Sequence, residues 1–150
     1  MQREIKFRVW DVDGKKFIDP QHYDIGQVLL DFAGNIRIAA WSQGNGDNAA
    51  DSVYSPVGNQ SNYTIQQYTG LKDKNNKEIY EGDILVYSEN DPTSTADRTL
   101  VRVEYKGSGF CYRDLATNKL DSIHSIIGIV EVDVDAEIIG NIFENVYLLP

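Results

Sequence analysis

The stretch Leu100-Val101-Arg102-Val103-Glu104-Tyr105-Lys106-Gly107-Ser108-Gly109-Phe110-Cys111-Tyr112 decides the fold. A polar side chain follows each valine, so residues 100–105 alternate between two faces. Side chains on a strand point to opposite faces at every step, and this is the pattern of a half-buried strand. Gly107-Ser108-Gly109 supplies the turn, and Phe110-Cys111-Tyr112 the return arm. The reading extends upstream. Ile84-Leu85-Val86-Tyr87 is a short apolar strand, fed by the tight turn Glu81-Gly82-Asp83. Ahead of it stand the short strand Glu78-Ile79-Tyr80 and a polar turn at residues 72–77 centred on Asn75-Asn76. Asn tolerates positive φ better than other residues with a side chain. Residues 63–69 alternate as a strand ending at Gly70, a permissive backbone position. Downstream, Val130, Val132 and Val134 alternate with Glu131, Asp133 and Asp135, and Ile138-Ile139 and Ile142-Phe143 flank Gly140-Asn141.

The first third follows the same rule. Ile5, Phe7 and Val9 share one face of a half-buried strand, with Lys6 and Arg8 on the other. Asp13-Gly14 is a turn, and residues 15–18 return as a hairpin arm. Residues 28–32 and 36–41 pair across Ala33-Gly34-Asn35. Residues 42–61, rich in Gly and Asn, and residues 90–97, with Asp91-Pro92, read as loops. Because a loop as long as 42–61 is uncommon inside a compact domain, the chain is either one domain or two lobes, about 1–45 and 62–150. No segment sustains a period of 3.6; only residues 121–127 and 144–149 leave room for a helical turn or two. The expected fold is all-β or mostly β, with antiparallel hairpins in a barrel-like or sandwich core. The Gly-Asp turn before residue 84 adds the option of an SH3-like second half.

Three segments, taken together, resemble the YopX family, small proteins encoded by bacteriophages and prophages. They are Lys6-Phe7-Arg8-Val9-Trp10-Asp11, then Gln67-Tyr68-Thr69-Gly70-Leu71-Lys72-Asp73-Lys74-Asn75-Asn76-Lys77-Glu78-Ile79-Tyr80-Glu81-Gly82-Asp83-Ile84, then Ile138-Ile139-Gly140-Asn141-Ile142-Phe143-Glu144-Asn145. The central one is the most specific. The resemblance runs from about residue 3 to about residue 149. It implies phage origin, a β-rich fold and a host-cytoplasmic setting, and it brings no activity to named residues. Tyr68, Gly70, Glu81, Gly82, Asp83, Gly140 and Asn141 are therefore read as structural turn residues of the motif.

Composition narrows function. The chain has 150 residues, 41% hydrophobic and 25% charged, enough to bury about 68–70% of its unfolded surface without disulfides. It has 14 basic against 23 acidic residues, net −9. That argues against wrapping a phosphate backbone, whose affinity comes from Lys and Arg, and against anionic membranes. It permits a basic protein partner. A lone Cys111, an N-terminus charged at Arg3, Glu4, Lys6 and Arg8, and no apolar run of about 18 residues point to the cytoplasm. The glycosylation-like Asn59-Gln60-Ser61 and Asn62-Tyr63-Thr64 are then chance matches.

Catalytic and metal patterns fail on spacing. A calcium loop needs ligands at positions 1, 3 and 5 and a Glu at 12. Counting from Asp73, positions 5 and 12 are Lys77 and Ile84; counting from Asp11, they are Lys15 and His22. His22, His124 and Cys111 are far apart in sequence for a transition-metal site, and Cys111 between Phe110 and Tyr112 is an inert strand thiol. No phosphate-binding Gly loop occurs. No catalytic, cofactor or metal site is therefore expected. Glu131, Asp133 and Asp135, about 7 Å apart at each step, form an acidic strand face: a solvated surface, a cation site or a docking stripe for a basic partner. Tyr63, Tyr68, Tyr80, Tyr87, Tyr105 and Tyr112 pack across strands; a base-stacking surface would draw on Arg98, Arg102, Lys106 and Arg113. The expected function is a non-enzymatic protein-interaction factor that also self-associates, since short apolar strands leave edges to cover. The alternative is a nucleic-acid-associated β-barrel module.

Overall fold

In a computed structural model, the structure describes residues 4–18, 62–88, 98–107, 109–122 and 136–150, together with the backbone of 27–30 and 36–39. Among the described residues the elements are strands, with a short 3-10 turn at Val146–Leu148, and the chain is all-β and antiparallel. It divides into two compact units, Val9–Thr64 and Met1–Arg8 with Ile65–Pro150.

In the Val9–Thr64 unit, the end of β1 (Phe7–Asp11) forms a hairpin with β2 (Lys16–Phe17). The turn forms where Asp13-Gly14 predicts it. The Asp11 carboxylate accepts the N–H groups of Asp13 and Gly14 at 3.1 and 2.9 Å, the local bonding that makes Asp a turn residue. Trp10 and Phe17 pack edge to face across the hairpin, centroids 5.0 Å apart. Within the described residues the second predicted pair is also present: β3 (Gln27–Leu30) against β4 (Ile36–Ala39).

The larger unit holds the motif. β5 (Tyr63–Lys72) lies between β1 and β6 (Glu78–Tyr80). A five-stranded sheet runs in the order β10-β9-β8-β7-β11, made of β7 (Asp83–Ser88), β8 (Arg98–Lys106), β9 (Gly109–Asp114), β10 (Leu120–Ser122) and β11 (Glu137–Asn141). The β8–β9 hairpin takes the register of the opening stretch, Tyr105 opposite Phe110 and Val103 opposite Tyr112. Alternation places Val101 and Val103 at 0% and 1% exposure and leaves Arg102 and Glu104 on the other face. Burying each such aliphatic side chain stabilises by about 1.5–3 kcal/mol. Ile79, Leu85, Tyr87, Phe110, Tyr112 and Ala136 complete this core, Tyr87 and Tyr112 edge to face at 6.4 Å.

One face is the reverse of expectation. Ile5 and Phe7 are 63% and 42% exposed, and only Val9 of the three is buried. The inward side at this point belongs to Lys6 and Arg8, whose charges find carboxylates on β6 and β7. Predicted features at residues 42–61, 90–97 and 123–135 lie outside the described residues.

Candidate functional site

The three motif segments converge in the larger unit on one buried polar cluster. β1 contributes Arg8, β5 Gln66, β7 Asp83 and β11 Asn141. Gln66, Asp83 and Asn141 are 2%, 1% and 3% exposed. Arg8 donates to Gln66 Oε1 at 2.7 Å and forms an ion pair with Asp83 Oδ1. Asn141 Nδ2 donates to Gln66 Oε1 at 3.2 Å and to Asp83 Oδ1 at 3.1 Å. Asp83 Oδ2 accepts the N–H of Tyr80 at 2.8 Å, and Asn141 Oδ1 accepts that of Phe143 at 3.0 Å. The Arg8 guanidinium lies over the Tyr80 ring, 4.7 Å from its centroid. A buried charge is tolerated when paired and hydrogen-bonded, and Asp83 is both.

Glycines let this cluster close. Gly82 has φ +80°, and a Cβ there would stand 2.1 Å from Gln66 Nε2. A Cβ at Gly140 would stand 2.6 Å from Asn145 Oδ1, whose oxygen accepts the Asn141 N–H at 3.0 Å. Gly70, at φ +90°, has open space beside it and is needed for its backbone alone. Tyr68 is buried against Tyr80, centroids 5.5 Å apart, with Lys6 above it. Burial and a hydrogen bond to Glu78 push the Tyr80 phenol up to about 12.

A second joint lies at the β5–β6 turn. Asp73 Oδ1 accepts the N–H groups of Asn75 and Lys77 at 2.8 and 2.9 Å, and Asn76 takes φ +64°. Asp73 Oδ2 accepts the Ile138 N–H at 3.2 Å, and Lys74 N–H donates to the Ala136 carbonyl at 2.9 Å. The turn thereby docks on the start of β11.

Beside the cluster opens a cleft of about 280 Å³, between Glu81 and Gly82, residues 102–105 of β8, and Ile142. Gly82 forms its floor, donating to the Val103 carbonyl at 2.8 Å and accepting the Ile142 N–H at 3.0 Å. Glu104 is held by Arg113 at 2.8 and 3.0 Å and by Arg102 at 2.9 Å. The Arg113 and Arg102 hydrogen bonds hold its carboxyl down at about 2, against the cost of burial. Glu81 behaves oppositely: burial and the nearby Glu104 charge push it up, while backbone hydrogen bonds from Gln67 and Tyr105 pull it down less. Cys111 is buried, its thiol directed at the Glu104 carbonyl at 3.5 Å. Burial raises its pKa, which suppresses the nucleophilic thiolate.

Of the residues singled out in the sequence, Glu81, Gly82, Asp83, Gly140 and Asn141 meet around the cluster and cleft. Glu131, Asp133 and Asp135, like His22 and His124, lie outside the described residues. Sequence reasoning missed Arg8, Gln66 and Asn145 as partners of the motif, and the Arg102–Glu104–Arg113 triad. Their one local signal is alternation: Arg102 and Glu104 stand two apart on a single strand face. Among the described residues no group of three or more His, Cys, Asp or Glu gathers as for a metal, and no helix is long and apolar enough to cross a membrane.

The fold and the cluster define an all-β antiparallel protein in whose larger unit buried polar side chains of β5, β7 and β11 meet the Arg8 guanidinium. The chain belongs to the YopX family, whose model, described as YopX protein, matches residues 6–150. Protein EF1440 from Enterococcus faecalis is similar in structure, with a TM-score of 0.63 and 29% identity over 99% of this chain and 100% of that one. Protein yopX from Bacillus subtilis is similar at a TM-score of 0.60 and 16% identity over 99% and 100%, a likeness that bears on the fold alone. No curated protein matches the chain.

Proposed function

We propose that this chain is a non-enzymatic protein-interaction factor, encoded by a phage or prophage and acting in the cytoplasm of a bacterial host, that binds a protein partner and copies of itself. One observation carries the reading: in the larger unit, charged side chains are paired with one another while several apolar ones outside the core stand exposed. Lys6 pairs with Glu78, Arg8 with Asp83, Lys74 with Glu137, and Arg102 and Arg113 with Glu104. Ile5 and Phe7, two residues apart in the chain, are solvent-exposed, as are Val146 and Tyr147. Apolar and aromatic side chains within an exposed face suit contact with another protein. The phage setting rests on the family resemblance.

A nucleic-acid-associated module is the second reading, favoured by Lys6 and Arg8 standing over the rings of Tyr68 and Tyr80. Phosphate contacts would have to compete with Glu78 and Asp83 for those cations, so this reading ranks below the first. The test is affinity capture from infected host lysate, with wild type beside an Ile5→Ser/Phe7→Ser variant, and a salt titration of binding to a random-sequence duplex. A protein retained by wild type and lost by the variant supports the first reading. Duplex binding with a steep salt slope, unchanged in the variant, overturns it in favour of the second.

A further inference from the structure

We propose that the cleft beside Gly82 is a recognition subsite for a lysine side chain presented by a basic segment of a partner protein, with Glu81 as its counter-ion. This deepens the protein-interaction reading and rests on it. Size comes first. At about 280 Å³ the cleft falls just below the about 300–1,000 Å³ of small-molecule sites, so it suits one long side chain better than a cofactor.

The walls then specify the chemistry. Glu81 is half-buried and, among the described residues, has no Lys or Arg paired with it. Glu78 and Glu137 each have one, and Glu104 has two. The Gln67 and Tyr105 backbones favour the charged form of Glu81 without neutralising it. Arg102 also lines the cleft, but its guanidinium is bound to Glu104, which Arg113 holds from outside the lining. Ile142 offers an aliphatic wall for the methylenes of a long cationic side chain. Tyr105, 48% exposed and braced edge-on by Phe110 at 5.1 Å, offers a ring for its charged end. An ammonium group entering here compensates a carboxylate whose burial is otherwise unpaid, and the net charge of −9 draws basic partners to the surface.

The test is an NMR titration of the full chain at pH 7 with Nα-acetyl-lysine-N-methylamide, and in parallel with the norleucine analogue, which keeps the methylenes and lacks the charge. Saturable shifts centred on Glu81, Gly82, Tyr105 and Ile142 are expected with the lysine probe alone. Glu81→Gln, which removes the charge and nearly keeps the size of the side chain, is expected to weaken the binding at least about tenfold. No saturable shift, equal shifts with norleucine, or lysine binding that Glu81→Gln leaves intact would each overturn the proposal. Any of these can occur while partner capture still depends on Ile5 and Phe7, so failure here is separable from failure of the general reading.

Discussion

Gly82 and Asp83 are neighbours with different duties, and substitutions separate them. At Gly82 a side chain meets two obstacles, a φ of +80° and Gln66 Nε2 at 2.1 Å from the new Cβ; at Gly70 it meets only a φ of +90°. Left-handed backbone costs a residue with a Cβ about 1–2 kcal/mol. Gly70→Ala should lose about that much, and Gly82→Ala clearly more, because the buried Gln66 must move and surrender bonds within the cluster. Urea unfolding of the two variants checks the ranking; equal losses would mean that the cluster does not depend on the close approach. For Asp83 the question is its charge. Arg8→Met leaves a carboxylate 1% exposed without its cation, and breaking a buried pair in this way costs about 3–5 kcal/mol. Adding Asp83→Asn removes the stranded charge and keeps an acceptor for the Tyr80 N–H. The double variant should therefore be more stable than Arg8→Met alone, a coupling that a double-mutant cycle reads directly.

Between elements, Glu104 is the joint of β8 and β9, and its ionisation makes the joint pH-dependent. Its folded pKa is depressed, to about 2 from an ordinary value of 4.5. The stabilisation is therefore present above about pH 4.5 and is lost as pH falls through about 2. With the side chain 19% exposed, solvent screening reduces it to the order of 2 kcal/mol. Wild type should exceed Glu104→Gln in unfolding free energy by about that amount at pH 7, and the gap should close between pH 4.5 and 2. A gap independent of pH would assign the loss to packing. The hairpin carrying this joint was legible in the sequence because its signal is local: alternation, a Gly-rich turn, alternation again. The turns at Asp13-Gly14 and Asn75-Asn76 were legible for the same reason. The inward face of β1 was not. Hydropathy turns Ile5 and Phe7 inward, whereas the structure turns Arg8 inward toward Asp83, 75 residues away. An ion pair at that separation leaves no periodicity to read, and a satisfied buried charge is the case in which hydropathy points the wrong way. The motif glycines were visible as turns, but the need for Gly82 became visible only once Gln66 stood across from it.

For the molecule as a whole, the balance lies between a net charge of −9, which opposes association, and apolar surface, which favours it. Charges separated by more than about 8 Å are largely screened at physiological salt, while a dry apolar contact is not weakened by salt. Phe7 at the start of β1 and Ile5 two residues before it are both exposed. Among the described residues, the five-stranded sheet ends in β10, three residues long, on one side and in β11, with an irregular register between Ile138 and Gly140, on the other. A short strand and a bulge are both features that blunt an edge. Edge-to-edge pairing is thus disfavoured at these two strands, and the apolar face of β1 becomes the better candidate for a symmetric contact, in which the same patch serves both copies. Light scattering across a wide concentration range is expected to show a mass rising above the 16.9 kDa of one chain. Phe7→Asp should hold the mass at the single-chain value, and added salt should not. A wild-type mass fixed at 16.9 kDa throughout would rule out self-association and leave the exposed face of β1 to a different protein.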